Sequence, residues 1–332
     1  MYLSFFLSFI ITIVSIILFT KLAININLLD KTDERKIHSG TIPLVGGIAI
    51  YLSIIFYAIF FDINNFTLFL LIASSLILLV GVFDDLRNIS PITRLFLQIV
   101  ATLFIISNDF SVTSLGSYHG YVLHLSSFGY IFTLFSILVL VNATNFIDGI
   151  DGLCASLTLV SIISLLIFSN IEVNNNISQL LFFICFSILI FLFFNLGFIK
   201  KYKIFLGDSG STFLGFLLAW ILIYFAEEKY IHPSLLIWCI TIPIFDLLRV
   251  IIIRFFLKKN PLYPDRIHAH HILFKITKND KLTLIILTLL AILFSFLGFY
   301  VYNIFGPIIS LIFYIILFFI YYFFFNRITN YS

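Results

Sequence analysis

Residues 76–95 read "LILLVGVFDDLRNISPITRL". An apolar run stops at Asp84-Asp85, and the basic residues Arg87 and Arg94 follow. The run reaches back to residue 66, close to the roughly 20 apolar residues that cross a bilayer core. The two acids therefore stand where a spanning helix meets lipid headgroups. Carboxylates there lose hydration, repel each other and oppose the macrodipole at a helix C-terminus. A nearby cation, metal or guanidinium, removes those penalties. The doublet reads as functional rather than as simple solvation of a helix end.

The same apolar grain runs through the whole chain. Of 332 residues, 61% are hydrophobic and only 11% charged, with a mean hydropathy of +1.15. That excludes a soluble α/β enzyme and predicts an all-α polytopic membrane protein, a single integral membrane domain over 1–332. About eleven transmembrane helices are expected, at 3–22, 45–61, 66–83, 95–107, 128–145, 153–170, 179–199, 210–226, 234–257, 283–303 and 307–326. The first twenty residues lack a basic start and a small-residue cleavage site, so they are expected to remain as a helix. Cys154, Cys185 and Cys239 lie in or beside apolar runs and read as buried hydrophobes, without disulfide or metal spacing.

Alternate loops differ in charge. Eighteen of the nineteen Lys and Arg residues fall on one side of this layout and only Lys229 on the other. Positive-inside bias makes the first side cytoplasmic, with the N-terminus external and the C-terminus cytoplasmic. The loop at 108–127, with His119 and His124, is expected to be an external surface loop. The unusual residues collect in the cytoplasmic loops, so the active site is expected on that face.

Those loops carry distinct clusters. In "VNATNFIDGIDGL" at 141–153, Asn142, Asn145, Asp148 and Asp151 recur every third residue, a spacing that makes successive members neighbours on a helix. One helix cap needs one such residue, not four. In "KIFLGDSGSTFLG" at 203–215, Asp208 opens a helix; it suits a cap or a metal ligand, beside backbone N–H groups that suit phosphate. "NPLYPDRIHAHH" at 260–271 crowds His268, His270 and His271 with Asp265 and Arg266. A zinc site would want wider spacing, and phosphate contact or proton handling fits the Arg and His mixture better. "LLDKTDERKIHSGTIPLVGG" at 28–47, with Lys36, is a charged interfacial loop that suits anionic headgroups. Asp246 and Arg249 lie inside the ninth span at i and i+3, and read equally as a structural pair or as a pair lining a site.

Carboxylate and carboxamide oxygens suit Mg²⁺, which prefers phosphates as its remaining ligands. With basic residues for diphosphate oxygens, the set fits phosphoryl transfer between a lipid phosphate and a cytosolic reactant. Here the chain resembles the polyprenyl-phosphate N-acetylhexosamine-1-phosphate transferases. The resemblance runs in order through "DERKIHSGTIPLVGG", "FDDLRNISPITRLFLQ", "NATNFIDGIDGL", "FLGDSGSTFLG" and "PDRIHAHHIL". It implies transfer of sugar 1-phosphate from a UDP-N-acetyl amino sugar to undecaprenyl phosphate, giving a lipid-linked diphospho-sugar and UMP. It also implies a bacterial cytoplasmic (inner) membrane enzyme requiring Mg²⁺, with Mn²⁺ as a substitute, among membrane lipids and without nucleic acid. Homodimers occur in the family, so a homodimer is an expectation here.

The resemblance assigns roles as well. Asn145 and Asp208 fall where the family places Mg²⁺ ligands. Asp84 and Asp85 match its catalytic acids, with Asp84 deprotonating or orienting the lipid phosphate. His268, His270 and His271 match its histidine motif, which meets the diphosphate; His268 and His271 are the catalytic candidates. Asp148 and Asp151 match nucleotide-facing positions. Arg94, Arg266 and Lys36 are further substrate-binding candidates. Ala269 interrupts the histidines, so the chain looks more like enzymes that initiate O-antigen, common-antigen or teichoic-acid linkage synthesis than like the phospho-MurNAc-pentapeptide transferase. GlcNAc, or a 6-deoxy relative such as QuiNAc or FucNAc, is the implied sugar. Two other readings compete. A UbiA-type prenyltransferase would need D-x-x-x-D motifs, which Asp84-Asp85 does not supply. A lipid transporter would place polarity near the midplane, often with inverted repeats.

Overall fold

The computed structural model describes residues 2–30, 41–61, 64–169, 171, 175–258 and 267–329. Lys36, Asp265 and Arg266 lie outside the described residues. The fold is helical: α1 Tyr2–Ile26, α2 Gly46–Phe60, α3 Asn65–Arg87, α4 Pro91–Ile106, α5 Phe128–Ile147, α6 Leu153–Phe168, α7 Asn176–Asn195, α8 Gly207–Glu227, α9 Pro233–Leu236, α10 Thr241–Phe256, α11 Ala269–Thr277 and α12 Asp280–Thr329. Among the described residues, 7 helical segments are long and apolar enough to cross a membrane. Three shorter apolar helices, Gly46–Phe60, Pro91–Ile106 and Leu153–Phe168, fall on three further expected spans. α12 is broken at Gly306, whose φ of 79° precedes Pro307, and the break separates the last two expected spans.

Packing divides the chain into two compact units, Met1–Asp109 with Ile171–Trp220, and Phe110–Asn170 with Ile221–Ser332. In the first unit, α1, α2 and α7 pack through buried hydroxyls. Ser8 Oγ donates to the Phe183 carbonyl at 3.1 Å, and Ser187 Oγ donates to Ser53 Oγ at 2.8 Å. Such small polar residues let helices approach closely where water cannot drive association. The start of α8 is held the same way. A Cβ on Gly47 would overlap the Gly210 backbone, and one on Gly81 would overlap Ser209 Cα. Phe205 N donates to the Pro43 carbonyl at 2.9 Å and Gly46 N to the Phe205 carbonyl at 3.0 Å, fixing the approach to α8.

The opening stretch folds as a helix, a turn and a helix. The side chain of Asn64 accepts from Thr67 N in a reciprocal capping box at the start of α3. Asn88, in the left-handed region at φ 50°, ends it. Ser90 then accepts from Thr93 N, and Pro91 sits at the first position of α4, where its missing N–H costs nothing.

In the second unit, α10 packs beside α12. Phe245 sits against Phe294, Tyr314, Phe318 and Tyr321. Trp238 Nε1 donates to Ser310 Oγ at 3.0 Å. The expected loop at 108–127 contains an antiparallel hairpin, β1 Ser114–Tyr118 with β2 Tyr121–His124. His119 (φ 50°) and Gly120 (φ 86°) make its two-residue turn, a conformation that needs positive φ at both positions. Glu227 accepts from Thr113 N at 2.7 Å and from its hydroxyl at 2.8 Å, and His232 contacts Ser117 at 3.1 Å. The three cysteines are buried and unpaired, as expected.

Candidate active-site clusters

Each unit carries one cluster. In the first, the adjacent acids point to different partners. Asp84, on the last turn of α3, is 4% exposed. Its Oδ1 accepts from Ile89 N at 2.9 Å, and its Oδ2 accepts from Arg94 Nη1 at 2.7 Å. Arg94 Nη1 also reaches Asp208 Oδ2 at 3.5 Å. The expected cation beside the doublet is therefore Arg94, brought back by the turn at 88–90.

Asp85 turns to α8. Its Oδ1 accepts from Asp208 N at 2.8 Å and its Oδ2 from Ser209 N at 3.1 Å. This corrects two expectations about Asp208. The acid capping the start of α8 is Asp85, and these two first-turn N–H groups are engaged by it rather than offered to phosphate. Gly207, at φ 75°, lets the chain enter α8 there, and a Cβ on it would press on the Asp85 carboxylate. Asp208 keeps a side chain 44% exposed beside Arg94. The structure thus brings Asp84, Asp85, Arg94 and Asp208 together.

In the second unit, the period-three reading of 141–153 holds only in part. Asn142 and Asn145 lie on α5, which ends at Ile147, with Asp148 as its cap. Asp151 lies in the following turn, closed by Gly152 at φ 78° before α6. The turn falls in the expected gap between the fifth and sixth spans, so of the four only Asn142 and Asn145 share a helix. Asn145, Asp148 and Asp151 are all partly exposed.

The histidines open α11 and pack on that turn. The rings of Phe146 and His268 are 5.7 Å apart, and a Cβ on Gly149 would overlap His270 Nε2. His268 and His270 stack at 5.9 Å, and His270 and His271 lie at 4.1 Å. His270 is 1% exposed. Burial first, then the neighbouring His271, pushes its imidazole down to about 3, so it is neutral near pH 7. His268 Nδ1 meets Asp246 Oδ2 at 2.7 Å. The sequence paired Asp246 only with Arg249. The signal for His268 was the cost of a buried carboxylate, which calls for more than one donor. The seating of α8 on Gly47 and Gly81 had no sequence signal beyond small residues on expected spans.

Oxygen donors for a hard cation exist in both units, Asp208 and Asn145. Among the described residues no group of three or more His, Cys, Asp or Glu forms a metal cage. Oxygen donors of this kind suit Mg²⁺, which takes one or two protein oxygens and fills its shell with phosphate and water, better than zinc, which favours sulfur and nitrogen.

Fold and clusters together define a polytopic helical membrane protein with acids, carboxamides and imidazoles gathered at helix ends. Residues 66–226 match the model of glycosyl transferase family 4. The chain is 34% identical over 285 residues to the undecaprenyl-phosphate alpha-N-acetylglucosaminyl 1-phosphate transferase of Yersinia pestis, covering 84% of this chain and 78% of that protein. The transferase of the same name from Escherichia coli (strain K12) is 34% identical over 301 residues, 86% and 82% of the two chains. The one from Haemophilus influenzae is 33% identical over 303 residues, 89% and 85%. The chain belongs to glycosyl transferase family 4.

Proposed function

We propose that this protein transfers an N-acetylhexosamine 1-phosphate, GlcNAc or a 6-deoxy relative, from a UDP-sugar to undecaprenyl phosphate. The product is a lipid-linked diphospho-sugar that starts an O-antigen or related envelope polysaccharide. The observation that carries this reading is the Asp84–Arg94–Asp208 cluster in a chain whose relatives act on undecaprenyl phosphate. An oxygen of the acceptor phosphate attacks the phosphorus that bears the sugar. That P–O bond forms as the bridging P–O bond of the donor breaks, and UMP leaves with the bridging oxygen.

In this reading Arg94 steadies the acceptor phosphate, and Asp84 orients it through the 2.7 Å ion pair. Asp85 keeps Asp208 in place by capping α8. Asp208 and Asn145 are the oxygen donors that would hold Mg²⁺, or Mn²⁺ in its place, and the ion would supply neutralisation of phosphate charge there. Asp148 and Asp151 contact the nucleotide. His268 and His271 meet the diphosphate, Arg266 and Lys36 assist, and neutral His270 holds the histidine helix on the turn at Gly149. The protein works as a homodimer in a bacterial inner membrane, crosses it about eleven times and acts on the cytoplasmic face. The charge asymmetry of its loops supports this orientation.

The test is UMP release by purified protein in detergent with undecaprenyl phosphate, Mg²⁺ and, separately, UDP-GlcNAc, UDP-QuiNAc, UDP-FucNAc and UDP-MurNAc-pentapeptide. Release with one N-acetylhexosamine donor, abolished by EDTA and restored by Mg²⁺, is the expected result. Silence across the panel in folded protein, or release only with the pentapeptide donor, overturns the reading.

A further inference from the structure

Asp246 and Arg249 are 2% and 0% exposed on α10, and the proposed chemistry uses neither. Ionised side chains are rarely placed so deep without a task. A purely structural pair would be satisfied by its own contact, Arg249 Nη2 to Asp246 Oδ1 at 3.1 Å. Here both side chains go further, and both reach the same three consecutive residues. Arg249 Nη2 also donates to the Ile267 carbonyl. Asp246 Oδ2 contacts His268 Nδ1 at 2.7 Å. Asp246 Oδ1 accepts from Ala269 N at 2.9 Å, at the first position of α11. Arg249 is braced in turn from α12, by Asn326 Oδ1 at 3.5 Å and by the Phe325 ring, 5.6 Å from the guanidinium.

The grip has a chemical consequence. Arg249 Nη2 and Ala269 N both donate to Asp246 Oδ1, and a carboxylate ionised beside a guanidinium can only accept at its other oxygen, Oδ2. His268 Nδ1 must then carry the proton in that contact, which fixes the ring's tautomer and leaves Nε2 as the atom presented outward. The Phe146 ring lies beside it, 5.7 Å away and tilted by 41°, and limits the rotation of the imidazole.

We propose that Asp246 and Arg249 are positioning residues that clamp Ile267, His268 and Ala269, so that His268 presents Nε2 to the diphosphate in a single tautomer and orientation. This rests on the proposed transfer reaction for its consequence, but not for the clamp itself. Asp246→Asn is the sharpest probe. An amide has one acceptor oxygen; kept on Ala269 N and Arg249, it turns its NH₂ to His268 Nδ1, which must then lose its proton and adopt the opposite tautomer.

Two readouts are taken on Asp246→Asn, His268→Ala and the double variant in the full chain. The first is hydrogen exchange at the amides of 267–273, which needs no turnover. The second is steady-state UMP release. The expected result is faster exchange at 267–273 in Asp246→Asn, with the remaining helices protected as in the parent. kcat falls at least about 10-fold, the scale seen when a group that orients a functional His is lost, and KM for the donor changes little. In the His268→Ala background, Asp246→Asn costs nothing more, because the residue it acts through is gone. A full additional loss in that background marks Asp246 as merely structural and overturns the proposal, as does unchanged exchange. If the parent releases no UMP, the transfer reading fails, while exchange still decides the clamp. Arg249→Met supplies an independent check, with faster exchange at 267–273 expected and parent-like exchange counting against the clamp.

Discussion

At the scale of single residues, the doublet at 84–85 divides its labour. Successive positions on a helix point about 100° apart, so one acid meets α4 and the other meets α8. Asp84→Asn keeps the shape but loses the charge that holds Arg94. Turnover is expected to fall about 100-fold, the scale of a misplaced reacting group, while the protein remains folded. Near-normal UMP release in Asp84→Asn would remove Asp84 from the reaction. His270 sets a limit on acid tolerance. Its pKa in the fold is about 3, against an ordinary 6.5. Between these values the unfolded chain binds a proton that the folded chain refuses. This contribution is therefore complete above about pH 6.5 and shrinks as the pH falls toward 3, by about 1.4 kcal/mol per unit. The thermal midpoint in detergent should drop between pH 7 and pH 5, and should drop less in His270→Leu. Equal slopes in the two proteins would show that His270 is not the group responsible.

At the scale of elements, the seating of α8 depends on two glycines on neighbouring helices. Gly81→Ala puts a methyl group on Ser209 Cα. Such overpacking costs about 1–3 kcal/mol, and it also displaces Asp208 from Arg94. Lower thermal stability together with weaker Mg²⁺ activation of UMP release is the expected pair of effects; a parent-like protein would show that α8 can shift freely. Much at this scale was legible in the residues. Asn88, Ser90 and Pro91 announce the turn between α3 and α4, whereas the cap expected of Asp208 at the start of α8 comes from Asp85 instead. The gap between the fifth and sixth expected spans announces the turn after α5, and the period of three at 141–153 places only Asn142 and Asn145 on one helix. The hairpin at 114–124 was hidden because its His-Gly turn is not a common turn pair. The partnership of Asp246 with His268 was beyond reach for a simpler reason. The two residues are 22 apart in the chain, and no local pattern joins them.

At the scale of the whole molecule, the buried cysteines offer a test of orientation. Cys154, Cys185 and Cys239 are inaccessible in the fold, so the folded parent should resist a membrane-impermeant maleimide. Lys201→Cys should then be labelled only from the cytoplasmic side and Tyr121→Cys, 83% exposed on the hairpin, only from the opposite side. Labelling of both from one side would refute the proposed topology.

The brace on Arg249 has a consequence for how the protein is made. Phe325 and Asn326 lie near the end of α12, so they leave the ribosome after every other group in the clamp. Because synthesis runs from the N-terminus, α10 and the histidine segment are inserted before their support exists. A nascent chain halted at residue 320 would hold all the histidines but lack the two groups that brace Arg249. The histidine segment thus takes its braced form only after the end of α12 has been made.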